Sequence, residues 1–171
     1  MEGPLRRRVV IVARLTPGEA EDLREIRLEA LRRHPTAFSA DPGIEGALAI
    51  ETWRERIAGR VWFGGRIDGR LAGINAFSTE DYSKKTAHVA HLGAMYVREP
   101  ARGSGLADAL MENFFDYAKG RAEMAVLTVE ALNRRAIALY KRHGFEITGR
   151  KPRSMKVDGA FHDELEMWGE V

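Results

Sequence analysis

A mixed α/β sheet with helices on both faces is the fold class this sequence predicts. Three observations carry it. Apolar residues switch between a period of two and a period near 3.6 along the chain. Asp-Gly pairs at 68–69 and 158–159 join strand-like runs as tight hairpins. A strand-helix-strand stretch between them requires a crossover, so antiparallel and parallel pairings share one sheet.

Val9 to Leu15 reads as the first strand. Thr16-Pro17-Gly18-Glu19 then opens a helix, with Thr as N-cap, Pro at the first position and Glu placed for a capping box. Ala20, Leu23, Ile26, Ala30 and Leu31 recur at helical spacing until His34-Pro35 stops the run. A loop rich in Pro and Gly follows. The next helix carries Ala49, Trp53 and Ile57 on one stripe and ends at Gly59. Val61 to Ile67 and Arg70 to Phe77 form a hairpin about Asp68-Gly69, and Thr86 to Val97 makes a third, longer strand. Leu106, Leu110, Phe114 and Tyr117 mark a helix whose aromatics belong to the core. Met124 to Val129 is a strand, Asn133 caps a helix running to Gly144, and Phe145 to Arg150 is another strand. Met155 to Trp168 closes the chain as a hairpin about Asp158-Gly159. The order is β-α-α-β-β-β-α-β-α-β-β.

With 171 residues and no repeat or linker, residues 1–171 are expected to form one domain. Hydrophobic residues at 44% and charged residues at 30% exclude a disordered chain. Cysteine is absent, which removes disulfides, thiolate metal sites and a cysteine nucleophile. A net charge of +2 does not point to nucleic acid. The Arg6-Arg7-Arg8 run precedes too short an apolar stretch for a signal peptide, and no run approaches the roughly 20 apolar residues of a membrane span. A cytoplasmic protein without a membrane partner is expected. His88 and His91 lie three apart on a strand and so face opposite sides, which argues against a metal site.

Chemistry concentrates between Met95 and Ala107. A strand ends, a turn follows, and Gly103 and Gly105 open a helix, which is how backbone N–H groups are brought to an anion. Three named phosphate or nucleophile loops fail here. A dinucleotide fingerprint needs glycine where Asp108 stands, and a hydrolase elbow needs it where Arg102 stands. A Walker loop needs Gly-Lys-Ser/Thr, which occurs nowhere.

The run Val97-x-x-x-x-Arg102-Gly103-x-Gly105-x-Ala107 instead resembles the acetyl-CoA loop of the GNAT superfamily of N-acetyltransferases. A second run, Asn133-x-x-Ala136-x-x-x-Tyr140-x-x-x-Gly144-Phe145, resembles that family's following helix and strand entry. The resemblance implies a mostly antiparallel central sheet in which two parallel strands, ending near Val97 and Val129, splay to admit pantetheine. It implies acetyl-CoA as cosubstrate, with the backbone of Met95, Tyr96 and Val97 pairing to the pantetheine arm. The loop N–H groups of Arg102, Gly103, Ser104, Gly105, Leu106 and Ala107 would hold the pyrophosphate, and Asn133, Ala136 and Tyr140 would line the arm. Asn133 and Tyr140 lie about 10 Å apart on one helical face.

The implied reaction is direct attack of a primary amine, from a small molecule or peptide, on the thioester. Tyr140 would protonate the leaving sulfur and a backbone N–H near Met95 would face the oxyanion. For the base, Glu130 ranks ahead of His91, with a water relayed from Glu80 or Asp81 third. A non-catalytic acetyl-CoA sensor and a transferase for longer acyl-CoA are the alternatives, and a homodimer is compatible with the sequence. Segments His34 to Ala47 and Arg150 to His162 are the expected selectors of the acceptor.

Overall fold

Local signals and long-range pairing agree over most of the chain. The computed structural model describes residues 10–80 and 83–171; Val9, the Arg6–Arg8 run and Asp81 lie outside the described residues. The elements are β1 (Val10–Arg14), α1 (Ala20–Arg33), α2 (Pro42–Gly46), α3 (Ile50–Gly59), β2 (Val61–Ile67), β3 (Arg70–Thr79), β4 (Val89–Val97), α4 (Leu106–Ala118), β5 (Met124–Glu130), α5 (Arg134–Arg142), β6 (Glu146–Val157) and β7 (Ala160–Glu170). The seven strands lie in the order β1-β2-β3-β4-β5-β7-β6. Every neighbouring pair is antiparallel except β4 and β5.

The local readings that held have visible causes. Thr16 donates its backbone N–H to Glu19 Oε2 at 2.8 Å, the return arm of the expected capping box, although the first turn is a 3₁₀ turn over Pro17–Glu19. Both Asp-Gly turns have their two central residues at positive φ, 50° and 81° for 68–69 and 48° and 82° for 158–159, as a type I′ hairpin requires. Trp53 and Ile57 are buried, whereas Ala49 is the N-cap of α3 and stands off the stripe.

Three expectations change. The loop after His34 contains α2, nucleated by Asp41, whose Oδ1 accepts from the N–H groups of Gly43 and Ile44. The third strand begins at Val89, because 86–88 are taken up in a turn. The strand at 145–150 and the first arm of the last hairpin are one strand, β6, with register breaks at Ile147/Gly149 and Lys151/Met155. Arg153 occupies the second break at φ 53°, and its N–H donates to Asp163 Oδ1 at 2.8 Å.

The sheet divides two cores. Leu23, Ile26, Trp53 and Ile57 of α1 and α3 pack with Trp62 and Ile74 on one face. Leu110, Met111 and Phe114 of α4 pack with Phe63, Phe77, Tyr140 and Phe145 on the other. Gly65 and Gly73 form a floor there. A Cβ on Gly65 would lie 2.4 Å from Leu106 Cδ1, and one on Gly73 would lie 2.9 Å from Leu110 Cδ1. The first turn of α4 therefore presses directly on β2 and β3. No helix among the described residues is long and apolar enough to cross a membrane.

The feature that makes a site is a parting of strands. β4 and β5 pair only at Val89, Ala90 and His91 with Met124, Ala125 and Val126. Beyond them β5 continues along β7, and β4 follows β3. The register of β4 against β3 slips by one between Ile74/Tyr96 and Ala76/Gly93, and Ala94 at that bulge sits at φ 53°. A bulge bends the strand that carries it and leaves a residue outside the ladder.

Candidate active site

Two chambers of about 650 Å³ each open from the gap between β4 and β5. They share Met95, Asn133, Ala136 and Tyr140, together with Ala37 and Phe38 from the segment after α1. One runs towards the glycine loop and α4; the other runs towards α3, β2 and β7.

The loop-side chamber gathers most of the residues the sequence singled out. Met95, Tyr96, Val97, Arg102, Gly103, Gly105, Ala107, Asn133, Ala136 and Tyr140 all line it. Ser104 and Leu106 do not. The Ser104 hydroxyl donates to the Ala101 carbonyl at 2.6 Å, closing the loop on itself. Leu106 is 1% exposed because its side chain fills the Gly65–Gly73 floor. Within this loop the N–H groups of Gly103, Ser104, Gly105 and Ala107 have no acceptor among the described residues. Gly103 and Gly105 sit at φ 75° and 85°, which turns those N–H groups outward where α4 begins. Three guanidiniums, Arg102, Arg135 and Arg142, face one carboxylate, Asp108, so the chamber suits an anion with several charges. Burial favours the protonated form of Asp108. Hydrogen bonds from His143 and Arg142 outweigh burial and hold its carboxyl below the usual range.

His34, where the first helix stops, belongs to this chamber. Its Nε2 lies 3.1 Å from Arg102 Nη2. Guanidinium nitrogens only donate, so Nε2 accepts and the neutral ring carries its proton on Nδ1. Burial, and then the Arg102 charge, holds the His34 pKa below its ordinary value. Arg102 also reaches back to the Val97 carbonyl at 3.4 Å, so it ties the loop to the end of β4. Tyr96 contributes to the chamber, but its hydroxyl points away and donates to Glu29 Oε1 at 2.9 Å. Burial and that bond push its phenol up to about 12.

On α5, Asn133 is both cap and lining. Its Oδ1 accepts from the Ala136 N–H at 3.1 Å, which accounts for the Asn133-x-x-Ala136 spacing. Tyr140 lies at the junction of the two chambers, and Phe145 holds its ring at 6.0 Å and 64°. The Phe145 N–H donates to the Tyr140 carbonyl at 3.0 Å, so the Gly144-Phe145 turn fixes the tyrosine from behind. Burial pushes the Tyr140 phenol above its ordinary value, and no hydrogen bond contributes to that shift.

The two residues expected as bases line neither chamber. Glu130 is 7% exposed, and its Oε2 accepts from the Leu132 N–H at 2.9 Å, so the carboxylate is spent on the turn after β5. Its Oε1 faces His162 Nδ1 at 3.4 Å. His91 sits at the last paired position of β4 and β5, where no gap has opened, and its Nε2 lies 3.3 Å from Glu80 Oε1. Two carboxylates line the sheet-side chamber: Glu45, paired with Arg27 and Arg56, and Glu164, which stands beside Thr128, Val129 and Tyr140 and whose Oε2 accepts from the Ser154 hydroxyl. Of the segments expected to choose the acceptor, 34–47 contributes Ala37, Phe38, Ser39 and Glu45, while 150–162 contributes no lining residue. Arg56, Gly59, Arg60 and Trp62 take that place. Glu164 pairs with Glu130 across β5 and β7, a juxtaposition set by sheet register that has no local signal in the sequence.

Parallel strands that part after three residue pairs, a glycine loop with open N–H groups at one end of the gap and a buried phenol where the two chambers meet make up the candidate site. Residues 21–145 match the Acetyltransferase (GNAT) family model, and the chain belongs to that family. The L-methionine sulfoximine/L-methionine sulfone acetyltransferase of Pseudomonas aeruginosa is 34% identical over 71 residues. That match spans 41% of this chain and 41% of the relative's length. The acetyltransferase of GNAT family from Streptococcus pneumoniae superposes with a TM-score of 0.85 at 22% identity, covering 95% of this chain and 100% of that one. The yncA protein of Salmonella typhimurium, solved with its cofactor acetyl-CoA, superposes at 0.77 and 18% identity over 95% and 94% of the two chains. Both likenesses concern the fold.

Two predictions follow from the loop. Gly105→Val places a β-branched residue at φ 85°, which costs about 1–3 kcal/mol of strain and redirects the loop N–H groups. The variant should stay folded by circular dichroism and lose at least about tenfold in CoA affinity by calorimetry; unchanged affinity would remove the loop from the binding site. His34 protonation is disfavoured by the fold, so the stability it contributes is intact above about pH 6.5 and lost as the pH falls below it. In an NMR titration the His34 ring should have a midpoint below 6.5, and Arg102→Ala should raise it part of the way, burial remaining. A wild-type midpoint at or above 6.5 would contradict the pairing.

Proposed function

We propose that this acetyltransferase moves the acetyl group of acetyl-CoA to the amine of a small molecule. The meeting of two chambers at Met95 and Tyr140 carries the reading, because it offers a separate entrance to each reactant with a proton donor at the junction. The loop-side chamber fits CoA in its chemistry: open N–H groups and excess arginines for the phosphates, and a strand edge at Met95 to Val97 for the amide-bearing arm. A relative named for methionine sulfoximine and methionine sulfone supports a small amine-bearing acceptor.

Acetyl-CoA, when bound, supplies the activated acyl carbon. The chain's own residues manage protons and charge around it. An alkylammonium acceptor has a pKa near 10.4, so a base must take its proton before the nitrogen lone pair can attack. Glu164 is the base we assign, since it faces the acceptor side and Glu130 and His91 do not. As the new C–N bond forms, the carbonyl oxygen gains charge, and the backbone N–H of Met95 beside the bulge is positioned to donate to it. The C–S bond then breaks with its electron pair going to sulfur, Tyr140 gives that sulfur its hydroxyl proton, and the second proton of the newly acylated nitrogen is lost and restores the phenol. A buried phenol with a raised pKa is protonated throughout the physiological range and so always ready to donate. Burial makes the transfer to a thiolate more steeply uphill than it is for a free phenol, so placement has to supply the advantage.

Tyr140→Phe is therefore expected to keep CoA affinity and lower kcat by at least about tenfold, within the usual 10²–10⁴ range of general acid catalysis. Wild-type turnover would return Tyr140 to a packing role. Glu164→Gln should lower kcat/KM by a similar factor and flatten its rise with pH, whereas Glu130→Gln should leave the pH profile in place. Mass spectrometry of amines incubated with acetyl-CoA tests the reading as a whole: CoA binding with no acetylated product from any amine would leave a sensor in its stead.

A further inference from the structure

The sheet-side chamber has an unequal charge account. Arg27 and Arg56 converge on one carboxylate, Glu45, with Arg27 Nε 3.2 Å from Oε2 and Arg56 Nη1 3.3 Å from Oε1. Arg60, on the same wall, has neither an ion pair nor a side-chain hydrogen bond among the described residues, and its Nε is buried. Burial, and then the Arg27 charge, lowers its pKa from the ordinary guanidinium value. A partly buried cation beside another cation is a standing cost unless an anion joins it.

Its position is built. The guanidinium lies over the Trp62 ring at 5.6 Å from the centroid. Its Nη2 fills the space that a Cβ on Gly93 would need, 2.7 Å away. The absence of a side chain at 93 thus lets the guanidinium rest against β4, and no side chain among the described residues hydrogen-bonds to it. Gly93 precedes Met95 by two residues, about 7 Å along a strand. Glu164 faces the chamber from the opposite side of the gap.

We infer that Arg60, seated on Gly93 and Trp62, is the specificity-determining residue that holds the carboxylate of a short amino-acid acceptor, with the acceptor's amine directed to Met95 and Glu164. This deepens the proposed acetyl transfer and rests on it for the identity of the amine end. The span between the guanidinium and Met95 favours an amine two to four bonds from the carboxylate.

The test compares acids with their amides: glycine, β-alanine, L-alanine and L-methionine against the corresponding amides, at saturating acetyl-CoA. The wild type should use the acids with kcat/KM about ten- to hundredfold above the amides, the range of one charged hydrogen-bonding contact. Arg60→Gln should abolish that ratio through KM, leaving kcat, the KM for acetyl-CoA and use of the amides nearly unchanged. Gly93→Ala, which displaces the fork and keeps the charge, should reduce the ratio in the same direction. Equal use of acids and amides by the wild type, or a ratio retained in Arg60→Gln, overturns the inference and leaves the proposed function standing. If no amine is acetylated, the proposed function fails by itself, and calorimetry of the same compounds with the CoA-bound enzyme decides the inference. Binding of acids over amides that is lost in Arg60→Gln upholds it; equal binding, or none, overturns it.

Discussion

Three residue pairs hold the two central parallel strands together, and the site exists because the pairing stops there. A full parallel ladder would bury both strands along their length and leave nothing to enter. Here β5 is claimed by β7 over all seven of its residues, while a one-residue bulge bends β4 along β3. The backbone groups of β4 that face the opening are left for a ligand, and Met95 stands beside the bend. The non-glycine residue in left-handed conformation at Ala94 is the local expense of that arrangement. His91, at the vertex of the opening, belongs to the last pair of that short ladder.

The second constraint is how α4 is planted. Leu106 enters a floor made of two glycines, so the first turn of the helix cannot ride higher on the sheet. Arg102 secures the loop from the other side through the Val97 carbonyl and His34. Between these anchors the loop is held with its N–H groups turned out, before any ligand arrives. Preorganised donors of this kind bind an anion without the cost of ordering the loop. The same device appears at Tyr140, where Phe145 and the turn behind it set the ring in place.

Much of this was legible because its causes are local. The hairpin turns are dictated by Asp-Gly pairs, the start of α5 by Asn133, and the opening of α4 by Gly105. Ten of the residues expected around CoA line one chamber for that reason. Leu106 lines no chamber because its side chain seats on the Gly65–Gly73 floor, a contact that spacing in a motif does not reveal. Glu130 lines neither chamber because a strand-end carboxylate has an N–H two residues on within its own reach, and its Oε2 accepts that bond. The acceptor side was illegible. Arg60, Trp62 and Glu164 come from a helix end and two strands that meet only through sheet order, and Glu164 reaches the gap by its register against β5. His34 joins Arg102 across 68 residues of sequence, a distance that no helical or strand period encodes.

The long outer strand β6 raises a separate matter, that of what another polypeptide would meet there. A sheet margin of twelve residues is a template on which foreign strands can add, the first step of edge-to-edge aggregation. This margin is a poor template. Its ladder is interrupted twice, Pro152 offers no N–H, and Arg150, Lys151, Arg153 and Lys156 place four cations along it. A strand trying to extend the sheet would lose register within a few residues and meet like charge if it were basic. The irregularities of β6 thus work as a guard rail, keeping a sheet that is open by design at its centre from being open at its border as well.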